Sequence, residues 1–89
     1  TSLKGMTFKY STNTLTVSNQ SQHYKRFSQF AYVDAQGHKT PIQMGLMGYV
    51  LSGQTMQWSI PTPINVKPNG KFVAVVNMDI REQELPISP

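Results

Sequence analysis

Apolar residues in this chain recur with a period of two in short runs, and no segment sustains the 3.6-residue period of a helix. Leu15 and Val17 alternate with threonine and serine, and Ser18-Asn19-Gln20-Ser21-Gln22 then reads as a polar turn. From His23 to Val33 runs an aromatic-rich segment with Tyr24, Phe27, Phe30, Tyr32 and Val33. Its alternation slips between Phe27 and Phe30, which predicts a bulge or a strand buried on both faces. Asp34-Ala35-Gln36-Gly37 is a turn, with glycine where a positive φ is expected. The apolar stretch from Pro41 to Leu51 is broken by Gly45 and Gly48, and predicts two short strands with a kink.

Ser52-Gly53 turns the chain again. Met56, Trp58 and Ile60 then alternate with Gln57 and Ser59 as a half-buried strand ended by Pro61 and Pro63. Pro68-Asn69-Gly70 is the strongest turn signal. It leads into Phe72, Ala74, Val76, Met78 and Ile80 on one face, with Val73 and Val75 on the other, the pattern of a central strand. Six or seven strands without helices predict an all-β sandwich or small barrel.

A chain of 89 residues is the size of one domain, and its 38% apolar content suffices for a thin core. Cysteine is absent, so no disulfide, thiolate metal site or cysteine nucleophile is available. No apolar run approaches the roughly 18 residues of a membrane span. Thr1-Ser2-Leu3-Lys4 lacks the regions of a signal peptide, as a mature or trimmed product would. The net charge is +4, and it is unevenly spread. Residues 1–78 hold seven basic residues and the single acid Asp34, whereas Asp79, Glu82 and Glu84 cluster with Arg81 at the end. A basic body favours acidic partners.

Catalytic chemistry has little to stand on. His23 and His38 are the only histidines, and His38 and Asp34 flank one turn with no nucleophile or pocket marked beside them. The expectation is a non-enzymatic domain with no metal and no cofactor. Tyr24-Lys25-Arg26-Phe27, followed by Phe30 and Tyr32, interleaves charge with aromatics as single-strand stacking platforms do. It lacks the spacing of the RNA-recognition signature, and strand aromatics belong first to the core. Asn19-Gln20-Ser21 formally matches a glycosylation acceptor.

Several segments together resemble the second domain of periplasmic pilus-assembly chaperones. The stretch Leu15-Thr16-Val17-Ser18-Asn19, followed by Gln20-Ser21-Gln22-His23-Tyr24, is similar to the family's opening strand end and polar stretch. Tyr32-Val33-Asp34-Ala35-Gln36-Gly37 is similar to its Asp-Gly turn. The run Gly48-Tyr49-Val50-Leu51-Ser52-Gly53-Gln54-Thr55-Met56-Gln57-Trp58 resembles its glycine-containing segment and alternating strand. Gly70-Lys71-Phe72-Val73-Ala74-Val75-Val76-Asn77 resembles its last strand. Where the family has Asn-Asp, then an aromatic and glycines, this chain has Asn77-Met78-Asp79-Ile80-Arg81, which displaces the acid by one position. In a strand that shift turns a side chain to the opposite face.

The resemblance implies an immunoglobulin-like β-sandwich of about seven short antiparallel strands, spanning residues 1–89, in a two-domain periplasmic chaperone whose first domain is not in this chain. It implies partners: a fimbrial subunit, the outer-membrane usher and the chaperone's own N-terminal domain. Asn77 and Asp79 become candidates for the interdomain contact, and Lys25 and Arg26 for a partner-facing basic patch. The family's donor strand and carboxylate anchor, which belong to the first domain, have no counterpart here. Met56-Trp58-Ile60 and Phe72 to Ile80 are read as this domain's own core. Two other readings stay open: a basic oligonucleotide-binding module, and an adhesive or structural pilus sandwich.

Overall fold

The computed structural model describes residues 3–61, 64–78 and 81–88. Its strands are β1 (Met6–Ser11), β2 (Thr14–Asn19), β3 (Lys25–Val33), β4 (Lys39–Val50), β5 (Thr55–Ser59), β6 (Lys71–Val76), β7 (Glu82–Leu85) and β8 (Ile87–Ser88). They form two four-stranded sheets, ordered β5-β2-β1-β8 and β4-β3-β6-β7. Pairing is antiparallel except for two-residue β8, which lies parallel to β1. β1, β2 and β5 share one sheet, while β3, β6 and β7 share the other. This is the immunoglobulin-like division of strands that the sequence predicts. No helix among the described residues is long and apolar enough to cross a membrane.

Period-two alternation fills the space between the sheets. Phe8, Leu15 and Val17 face inward from one sheet, and Phe27, Phe30, Tyr32, Phe72, Ala74 and Val76 from the other. Phe8 meets Phe27 edge to face at 6.0 Å across the interior. The slip expected between Phe27 and Phe30 is present. The register of β3 shifts on both of its neighbours there, and Gln29 takes φ 55°. The extra residue has a purpose: residues three apart in a regular strand point to opposite faces, and the bulge puts both rings inside.

Two strand expectations need correcting. The stretch expected as two short strands is one bulged strand, β4, whose register against β3 skips at several points. The bulge exposes the carbonyl of Met47 to the interior, and the indole N–H of Trp58 on the facing sheet donates to it at 3.2 Å. The last strand was expected to reach Ile80, but β6 stops at Val76 because Asn77 turns left-handed, with φ 58°. β1 was hidden by a weak apolar pattern, and β7 by its acidic composition.

The β1–β2 hairpin turns on Thr12 and Asn13, both with positive φ (53° and 58°), the type I′ geometry that matches strand twist. A β-branched residue fits this region poorly. Thr12→Asn should therefore stabilise the domain by about 0.5–1 kcal/mol, read as a higher denaturant midpoint at unchanged slope. An unchanged or lowered midpoint would show that the turn carries no such strain.

Candidate functional site

A sandwich has two inner faces, and apolar residues in excess of what these accept are left outside. Among the described residues the large exposed apolar side chains are Tyr24, Met44, Leu46, Tyr49, Leu51 and Met78. They are not scattered. Met44, Leu46 and Tyr49 belong to edge strand β4, and Leu51 follows it. Tyr24 immediately precedes β3, and Met78 lies just beyond β6. Since Lys25 opposes Val50 and Phe27 opposes both Gly48 and Val76, the start of β3, the end of β4 and the end of β6 coincide. One corner of the β4-β3-β6-β7 sheet thus carries the apolar excess.

The corner is built around Arg26. Its register partner is Tyr49, and the rings of Tyr24 and Tyr49 tilt together at 5.8 Å. Tyr24, Arg26, Asn77 and Met78 line a shallow recess of about 240 Å3. Asn77 holds the arginine from both ends. The Arg26 N–H donates to Asn77 Oδ1 at 3.0 Å, the Asn77 N–H donates to the Arg26 carbonyl at 2.7 Å, and the guanidinium Nη1 reaches the Asn77 carbonyl at 3.3 Å. The left-handed turn at Asn77 therefore sets the guanidinium and lifts Met78 into solvent, where it is 85% exposed.

Tyr24 is positioned from the other side by Asn19, a buried residue whose amide makes four hydrogen bonds. Its Nδ2 donates to the carbonyls of His23 and Val50, both at 2.8 Å. Its Oδ1 accepts from the Ser21 N–H at 2.9 Å and the Ser21 hydroxyl at 2.6 Å. The loop between β2 and β3 is thereby tied to the end of β4. The Asn19-Gln20-Ser21 triplet is accordingly a structural clamp, with its amide occupied and inaccessible to a glycan.

The site residues expected from sequence are partly brought together. Arg26 sits in the corner, but Lys25 points to the opposite side of the sheet, because successive residues in a strand alternate and its partner Val50 is an interior residue. A joint Lys25–Arg26 patch does not form. Asn77 spends its carbonyl and Oδ1 on Arg26, so only its Nδ2 is open to an interdomain contact among the described residues. Asp79 lies outside the described residues. Asp34 accepts from the N–H groups of Gln36 and His38, and its carboxylate stands 3.7 Å from the His38 ring on an exposed turn. Tyr24, Tyr49, Leu51 and Met78 were not singled out as surface anchors. The usable signals were the polar turn before Tyr24 and an asparagine, tolerant of left-handed backbone, before Met78.

Fold and corner together define a class: an immunoglobulin-like sandwich presenting an aromatic, methionine-rich surface around one arginine. No protein-family model, curated protein or solved structure matches the chain.

Proposed function

We propose that this sandwich is a non-catalytic protein-handling domain, the second domain of a periplasmic chaperone that binds fimbrial subunits and delivers them to the outer-membrane usher. The observation that carries the reading is the gathering of the exposed apolar side chains at one corner around Arg26. Aromatics, methionine and arginine are the residue types enriched in protein interfaces, and lysine is depleted there. The sequence resemblance supplies the class of partner. Adaptable methionines beside rigid tyrosines suit a surface that meets more than one client.

The test is capture of a fimbrial subunit by the full-length protein in the periplasm, using the subunits encoded beside its gene. A one-to-one complex is expected. Tyr24→Ala combined with Tyr49→Ala should weaken it by about thirtyfold or more, the size of a hot-spot loss, at an unchanged melting temperature. Arg26→Glu should also weaken it, and Lys25→Glu, on the other side of the sheet, should not. Equal effects of the two charge reversals, or no complex at all, would defeat the proposal. Steeply salt-dependent binding of single-stranded oligonucleotides at the same corner would replace it with a stacking platform.

A further inference from the structure

At the far end of the sandwich from this corner, the two sheets part over an apolar recess of about 480 Å3. Its floor is aromatic. The Tyr10 and Phe72 rings lie 5.6 Å apart and the Tyr32 and Phe72 rings 5.2 Å apart, with Val66 and Ile87 completing the walls. Tyr10, Val66 and Ile87 pack against the core but are only partly buried.

Both tyrosine hydroxyls are already engaged. Tyr10 donates to Asn13 Oδ1 at 3.1 Å. Tyr32 accepts from the Lys67 N–H at 2.8 Å and donates to the Lys67 carbonyl at 3.3 Å. The recess therefore offers ring faces and aliphatic groups, held in place before anything arrives. At its rim stand Lys67 and Lys71, both exposed, and among the described residues neither is paired with a carboxylate. An apolar chamber of this size with a few polar groups at its mouth has the form of a small-molecule site.

We propose that this recess binds a medium-chain fatty acid or a like amphipathic carboxylate, its chain on the aromatic floor and its head group between Lys67 and Lys71. The apolar chamber selects the chain, and the two unpaired ammonium groups select an anion over an alcohol or a cation. The site is separate from the Arg26 corner and does not depend on the chaperone reading.

Sodium decanoate titrated into the chain, followed by amide NMR shifts, is the direct test. Saturable shifts confined to Tyr10, Val66–Phe72 and Ile87 are expected. The dissociation constant should be on the order of 0.1 mM, as the affinity per atom of a ligand with about a dozen non-hydrogen atoms allows. 1-Decanol should bind about fivefold more weakly, the effect of losing two exposed charge contacts, and decyltrimethylammonium more weakly still. Lys67→Ala with Lys71→Ala, two exposed positions that leave the floor intact, should bring decanoate down to the level of decanol. Equal binding of acid and alcohol, shifts centred on Tyr24 and Met78, or an unaffected double variant would overturn the proposal.

Discussion

Asn19→Asp should lower stability at neutral pH by about 4 kcal/mol, the cost of an uncompensated buried charge. The substitution alters almost no volume, so the effect is electrostatic. Asn19 is 1% exposed, and its Nδ2 donates to two carbonyls that an aspartate oxygen would instead repel. Oδ1 would keep its bonds to Ser21, but the carbonyls of His23 and Val50 would lose their partner. Against a typical domain stability of about 5–15 kcal/mol this loss is large, and the melting temperature should fall by roughly 15–30 °C.

The deficit should depend on pH. Burial without a partner raises the folded-state pKa of the new carboxyl above its unfolded value of about 3.9, so the folded form holds its proton longer. Stability relative to the parent then falls as pH rises above that value, and the two proteins should converge near pH 4. Urea unfolding at pH 4 and pH 7 reads the difference. A deficit of equal size at both pH values would mean that volume or loop strain, rather than the lost donor, was responsible. A variant with the parent's midpoint at pH 7 would mean that the clamp contributes nothing.

Gly70→Ala is the second large effect. Gly70 is needed for space. A methyl group there would stand 1.8 Å from the Tyr32 hydroxyl oxygen and 2.4 Å from Cζ of the same ring. Tyr32 cannot yield cheaply, because it is 3% exposed, packs on Phe72 and is bonded twice to the Lys67 backbone. Overpacking of this kind costs about 1–3 kcal/mol, and the upper half of that range is expected.

Tyr32→Phe alone should cost about 1 kcal/mol through the Lys67 bonds. The double variant should be less unstable than the sum of the two by about 1 kcal/mol, since the atom in closest conflict has been removed. Rescue stays partial because Cζ remains in the way. Strict additivity in the double-mutant cycle would show that the alanine is accommodated by the loop and not by the ring.

Much of the interior was legible from residue order. Leu15 with Val17, Met56 with Trp58, and Phe72 with Ala74 and Val76 alternate cleanly, and each set faces the core. The slip between Phe27 and Phe30 correctly announced a bulge, because two aromatic residues three apart can both be buried only if a residue is looped out between them. The candidate site was less legible. Tyr49 and Leu51 belong to an apolar stretch that looks like core, and only the pairing of β4 at the sheet edge leaves them outside. Lys25 and Arg26 look like one patch when adjacent in sequence, and the pleat separates them.

The sequence by itself determined the strand period, the turn positions, the absence of helix and the class of fold. These follow from interactions between near neighbours: alternation, glycine and proline geometry, and asparagine's tolerance of left-handed backbone. Only the tertiary structure decided which apolar residues stay outside, that Asn19 is a clamp, and that the Tyr10, Tyr32 and Phe72 rings line an open recess. Each of these depends on which strands become edges and how the two sheets close over one another. That is set by contacts between residues far apart along the chain, which no local pattern encodes.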